Sequence, residues 1–309
     1  MAPFSNILER HKISRLVSSL LSTVVVFIVA GGILFLFAFQ VDQFISDISV
    51  IKNETQSFIN TLEEQIASVA NFSIEQLQNY WQERSDQIIG RIESYVTNFF
   101  SRVISAFTGF LLVLIYVFLL LLYRNRLSEF IMMYTAQEKK EHVKNILNKS
   151  TKVVFHYLWG RTKVMSILGV MYYITFLIFD LPYAILIAIF GAVITIIPYF
   201  GPLISGLVPI LFSFIFFDSI PKSLIFSAII IIEQLIESYV LEPWIIGKEV
   251  ELNPLIVIVA VIIGGITWGL AGMILFVPLF AMIKIISSNS KGFEPIGFLL
   301  GNSKPHREE

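Results

Sequence analysis

The sequence predicts an all-α, polytopic membrane protein with about eight membrane segments, some short or broken by Pro and Gly, and a helical hairpin outside the membrane. Three observations carry this expectation. Of 309 residues, 56% are hydrophobic and 15% charged, against roughly 45–50% and 25% in soluble domains, and the mean hydropathy is +0.77. Two long runs, Leu16–Val41 and Val103–Tyr123, contain no charged residue. The stretch from 164 to 286 is almost wholly apolar yet repeatedly interrupted by Pro and Gly. The net charge of −1 offers no global field for a polyanion, so nucleic acid is not an expected partner. With no cysteine, disulfides, thiolate nucleophiles and cysteine metal sites are excluded.

Residues 1–41 read as a cytoplasmic N-terminus and first membrane helix. The 26 uncharged residues of Leu16–Val41 give a helix of about 39 Å, enough to cross a hydrocarbon core of about 30 Å. Arg10, Lys12 and Arg15 precede it, but the run far exceeds a signal-peptide core and no A-x-A site follows.

Residues 42–102 carry nine acids and four bases. Phe58, Ile59, Leu62, Ile66 and Val69 form one apolar stripe, and Ile88, Ile89, Ile92, Tyr95, Val96 and Phe99 a second. Asn71-Phe72-Ser73 separates them, with Ser73 and Gln76 placed as a capping box. An extracytoplasmic hairpin of two amphipathic helices is expected, with either an assembly or a partner-binding role. Its apolar stripes need a surface to pack on, and a second copy of the chain would supply one, so a homo-oligomer is expected. The 21 residues of Val103–Tyr123 then form a second membrane helix.

Residues 124–163 reverse the balance, with nine bases against three acids. The positive-inside rule makes this loop cytoplasmic. Val143, Ile146, Leu147, Val154, Tyr157 and Leu158 recur at helical spacing among lysines, which predicts a helix lying on the inner leaflet.

Residues 164–286 form a broken-helix membrane core. Asp180-Leu181-Pro182, Pro198-Tyr199-Phe200-Gly201-Pro202, Asp218 to Lys222, Glu242-Pro243, Gly247, Pro254 and Thr267-Trp268-Gly269 interrupt it, and Gly272 and Pro278 follow. The segments between are about 164–180, 183–197, 203–217, 223–241, 254–267 and 270–286, several of them short for a crossing. Broken apolar segments occur where backbone groups line a cavity, because free amides and carbonyls cannot face lipid. Eight crossings put the N-terminus, the basic loop and the 287–309 tail all inside.

Glu233 and Glu237 stand four residues apart in IIIIEQLIES, on one helical face with Gln234 beside them. Each charge in a membrane helix costs about 2.5–3.5 kcal/mol on insertion scales, so the pair must face protein or water. Two readings are open: a proton or cation site, or pairing with a basic or backbone group. Glu242 reads as an interfacial helix-end anchor before Pro243. Asn53-Glu54-Thr55 and Asn71-Phe72-Ser73 match a glycosylation triplet that also arises by chance. The four histidines have no ligand spacing, and no H-E-x-x-H, G-x-x-x-x-G-K or G-x-S-x-G occurs. Neither a metal, a cofactor nor an enzymatic activity is expected.

Three linked stretches, IIPYFGPLISGLVPI, EQLIESYVLEPWIIGKEVELNP and GGITWGLAGMILFVPLFAMIK, together with Tyr157-Leu158-Trp159-Gly160, resemble the AI-2E family of bacterial membrane transporters. The resemblance implies a multi-pass permease of the cytoplasmic (inner) membrane. Some members are linked to export of the signalling molecule autoinducer-2 and others to sodium or lithium/proton antiport. It also implies one or two membrane helices ahead of the first one here, so the chain is expected to begin just after them. On this reading the protein exports a small solute or exchanges a cation for protons, with Pro198–Pro202 as the unwound segment, Glu233 and Glu237 as coupling groups and Gln234 as a third transport candidate beside them. The alternative is a non-transporting scaffold acting through the outer hairpin.

Overall fold

A computed structural model describes residues 2–47, 90, 94, 98, 112–217, 219–246 and 252–302. Apart from its first residues and three isolated positions, the expected 42–102 hairpin lies outside the described residues, as do Gly247 and Asp218. Every regular element among the described residues is helical, and the chain divides into two compact units, Met1–Tyr134 and Thr135–Glu309.

In the first unit, α1 (Ala2–Arg10) precedes α2 (Arg15–Ser46), and α3 occupies residues 112–133. The predicted first span lies inside α2. Helix α3, which holds the end of the predicted second span, continues past Tyr123 through Arg124 and Arg126. Arg124 donates to Ser5, to Asn6 and, at 2.8 Å, to Glu9. These bonds tie α1 to α3.

The second unit is built on α4 (Lys140–Ile178), one helix of 39 residues. Here the structure differs from expectation: the positions 143–158 do not form a helix of their own but are the first part of this one. The stretch from 140 to 178 has no proline, and the buried positions Ser150, Val153, Tyr157, Arg161, Val164, Leu168, Tyr172 and Phe176 run as one stripe from the lysine-rich end into the apolar end. Lysines flank a helix that continues inward, and Arg161, counted with the loop from charge alone, is 2% exposed.

Two helical hairpins pack on α4. The first joins α5 (Ala184–Ile194) to α6 (Phe200–Phe216). At 11 residues α5 rises about 16 Å, short of a crossing of about 30 Å. The unwound turn covers residues 195–199, upstream of the predicted Pro198–Pro202; Gly201 and Pro202 already lie in the first turn of α6, where proline fits because its missing N–H needs no partner. Pro198 is buried in the turn. A Cβ at Gly201 would fall 2.2 Å from the Ile194 carbonyl oxygen.

The second hairpin is α9 (Pro254–Ser288), folded back at Gly269. Gly269 has φ +61° and ψ −140°, a region that glycine alone enters freely. The two arms then meet backbone to backbone at Gly264 and Gly272, where a Cβ on Gly272 would come within 2.0 Å of the Gly264 oxygen. The predicted break at Thr267-Trp268-Gly269 is therefore present, and Pro278 is buried in the returning arm. Gly272→Ala is expected to force the arms apart and lower stability by about 1–3 kcal/mol, measured as a lower unfolding midpoint in detergent, whereas Gly269→Ala acts through backbone strain alone.

Between the hairpins runs α7 (Ile220–Ile236), continued by a π-helical turn (Glu237–Leu241) and α8 (Glu242–Ile245). The helix does not end at Pro243. The Glu242 N–H bonds back to the Glu237 oxygen, five residues earlier, and this widened turn lies immediately before the proline, whose ring a regular helix cannot accommodate. Finally α10 (Glu294–Leu300) returns to the foot of α9. The Asn253 backbone N–H donates to the Leu300 oxygen and its side-chain amide to the Leu299 oxygen, while its side-chain oxygen caps the Ile256 N–H at 2.8 Å.

By length and composition four helices among the described residues can cross a membrane: Arg15–Gly32, Gln137–Ile178, Ile220–Ile245 and Pro254–Ser288, the last of them bent at Gly269. The short helices α5 and α6 match the expectation that some segments are short or broken, while the described residues do not establish the expected count of about eight.

Candidate functional site

The carboxylates and the hairpins converge on one face of α4. The first hairpin has its base at the Ile178 end, where Phe176, Leu181, Ile187, Phe217 and Phe226 form one apolar cluster. Its tip reaches the middle of α4, where Ile197 packs with Val164, Leu241, Ile246 and Val261 of the other elements. The second hairpin has its base at the opposite end, marked by His142 Nε2 at 3.0 Å from the Asn289 oxygen. The two hairpins enter this unit from opposite ends of α4.

Four residues before the centre of that convergence lies Tyr157, and at the centre lies Arg161. Its Nη1 donates to Glu242 Oε1 at 2.6 Å and stands 3.6 Å from Glu237 Oε1. Glu237 is fully buried, and its second oxygen accepts from Ser238 at 3.0 Å. One guanidinium thus bridges both ends of the π-helical turn. Glu242, expected as a helix-end anchor, is a partner in this bridge. Ile197, in the first hairpin's tip, packs in one cluster with Leu241 at the end of the π-helical turn. With φ +65° and the Phe200 N–H bonded to the Pro198 oxygen at 2.8 Å, Tyr199 forms a γ-turn of the strained kind. Such strain persists only where surrounding packing enforces it.

Glu233 faces a different neighbour. Thr175 on α4 donates to Glu233 Oε1 at 2.6 Å, and the other oxygen has no hydrogen-bond partner. Gln234 Nε2 donates to Ser205 at 3.1 Å and also to the Tyr172 hydroxyl, which itself lies 2.9 Å from Ser205 Oγ. This knot joins α4, the first hairpin and α7. The two glutamates predicted on one face are both buried, yet the structure divides them: Glu237 has a cation, and Glu233 has only a hydroxyl.

Of the other predicted positions, Pro198, Gly201 and Pro202 belong to the tip that meets this site. Gly269, Gly272 and Pro278 shape the second hairpin, Pro254 opens it, and Pro243 follows the π-helical turn. Sequence reasoning missed Arg161, Tyr172, Thr175 and Ser205. The signal for Arg161 was its place at the i, i+3, i+7 spacing with Val164 and Leu168; hydroxyl residues in an apolar helix gave none. Among the described residues no cluster of three His, Cys, Asp or Glu could hold a metal ion.

Comparison with known proteins decides the class. The description "AI-2E family transporter" matches residues 1–292. The chain belongs to the AI-2E transporter family. It is 34% identical over 130 residues to YrrI of Bacillus subtilis (strain 168), covering 42% of this chain and 36% of that protein. It is 24% identical over 194 residues to YhhT of Escherichia coli (strain K12), covering 63% and 55%. With "AI-2 transport protein TqsA" of Escherichia coli (strain K12) it shares 26% identity over 156 residues, covering 50% and 45%. The matches therefore span about a third to just over half of these relatives. This AI-2E family chain is a multi-pass helical membrane protein, and the family and its relatives are named as transporters rather than enzymes.

Proposed function

We propose that this AI-2E family protein is a secondary transporter that moves a small solute or exchanges a cation for protons, with Glu233 as the exchangeable carboxylate. The observation that carries this reading is the division of the two glutamates. A buried carboxylate with no cation beside it is costly and gains most from a proton or a transported cation. Glu237 is already neutralised by Arg161 and holds the π-helical turn in place. The hairpins fit this role: they enter from opposite ends of α4, and one has a strained tip packed beside the π-helical turn, the kind of discontinuous backbone that membrane transporters use where a cavity must be lined.

The proposed setting is the bacterial cytoplasmic membrane, with the Lys140 end of α4 inside, as the lysines around it favour, and with copies of the chain associating. The alternative, a scaffold that carries no flux, acts through the 42–102 hairpin, which lies almost wholly outside the described residues. Comparing metabolites retained and released by a deletion strain and its complemented parent tests the solute branch. A solute retained on deletion and released on complementation is expected. A released pool unchanged by the deletion, together with inert proteoliposomes, would leave the scaffold.

A further inference from the structure

Six buried side-chain atoms in the 135–309 unit have no hydrogen-bond partner among the described residues, and they follow the buried stripe of α4 in order: Ser150 Oγ, Tyr157 OH and Arg161 Nε on α4 itself, then Glu237 Oε1 beside Arg161, Gln234 Oε1 on the side chain bonded to Tyr172, and Glu233 Oε2 on the carboxylate bonded to Thr175. Scattered orphans would each cost about 1–3 kcal/mol, whereas polar groups placed in sequence are what buried water satisfies. The spacing suits a file of water molecules. Ser150 to Tyr157 is two helical turns, or about 10.5 Å, and Tyr157 to Arg161 about 6 Å. Arg161 then stands 3.6 Å from Glu237 Oε1, beyond direct hydrogen bonding, and Glu237 to Glu233 is a further turn of about 6 Å.

The line stops at Glu233. Beyond it, toward the Ile178 end, Phe226 is ringed by Phe176, Phe217 and Phe179 at centroid distances of 5.7, 5.5 and 5.3 Å, and the buried Ser223 hydroxyl one turn away on α7 is already bonded to the Ser213 oxygen at 3.0 Å.

We infer that a hydrated file along the buried face of α4 connects Glu233 to the Lys140 side of the membrane, through Ser150, Tyr157 and Arg161, and that the phenylalanine cluster seals it from the other side. The file supplies protons or a small hydrated cation to Glu233 from one side only. This rests on the reading of Glu233 as the exchangeable group, and it is testable without any flux.

The chain has no cysteine, so single cysteines report access directly. Ser150→Cys, Tyr157→Cys and Phe226→Cys proteins are reconstituted, checked for folding by thermal unfolding, and exposed from each side to silver ion, a thiol-reactive cation small enough to enter a file of water molecules, with the unreacted thiol counted after unfolding. Reaction of Ser150→Cys and Tyr157→Cys from the Lys140 side is expected at least about tenfold faster than that of Phe226→Cys from either side, since thiol reactivity follows exposure and thiolate formation. Ser150→Cys changes a single atom and keeps the test valid if Tyr157→Cys does not fold. Rates at 150 and 157 as slow as at 226 would overturn the file, even in a protein that transports. Fast labelling in a protein with no flux would leave the file standing and remove the transport reading instead.

Discussion

Arg161→Met is expected to destabilise the protein by about 3–5 kcal/mol, the cost of stranding a buried charge. Arg161 is 2% exposed and Glu237 fully buried, while Glu242 is partly exposed and can turn to water. Removing the guanidinium therefore leaves Glu237 as the uncompensated group and releases both ends of the π-helical turn. The companion substitution separates charge from packing. In Arg161→Met/Glu237→Leu no buried charge is left from this pair, so most of the stability should return, because well-packed apolar replacements of a buried ion pair are often neutral. Glu237→Gln alone should cost less than Arg161→Met, since Arg161 keeps its 2.6 Å bond to Glu242. Unfolding midpoints of the four proteins in one detergent measure this. Equal losses in the single and double variants would show that the bridge contributes packing and not charge compensation.

Glu233→Gln should have the opposite profile. Glutamine has nearly the same shape, and its oxygen still accepts from Thr175, so the fold and its unfolding midpoint should change little. What is lost is the group that binds and releases a proton or cation. Ion-coupled flux should fall to the level of protein-free liposomes, while Thr175→Val, which removes the 2.6 Å hydrogen bond but leaves the carboxylate, should retain coupling with a weakened cation dependence. The pair of results distinguishes the titrating group from the residue that positions it. If Thr175→Val abolished coupling and Glu233→Gln did not, the roles assigned here would be reversed.

Much of this arrangement was legible in the sequence, and the remainder was hidden for identifiable physical reasons. The i, i+4 spacing of Glu233 and Glu237 on an apolar helix forced both inward, and Thr267-Trp268-Gly269 marked a fold-back that Gly269 makes at φ +61°. Arg161 was misassigned because charge counting sums over a segment, whereas burial follows a single helical face: a residue two positions before Lys163 can lie on the opposite side of the same helix. The helix expected over 143–158 is not a separate element for the same reason, since its apolar positions are the lower end of the stripe that continues to Phe176. The π-helical turn is a local response to Pro243 and to a partner 81 residues away, and periodicity carries neither. The Tyr172–Ser205–Gln234 knot joins three elements through neutral groups, for which neither hydropathy nor charge leaves a trace.

The role of Glu233 is decided by one measurement: collapse of an imposed pH gradient, on addition of sodium or lithium or of a candidate solute, in proteoliposomes of the full chain, of Glu233→Gln with an unchanged unfolding midpoint, and in empty liposomes. That role predicts collapse with the native chain and none above the empty-liposome level with Glu233→Gln. Equal collapse with both proteins, or a native chain as inert as lipid alone, would contradict it.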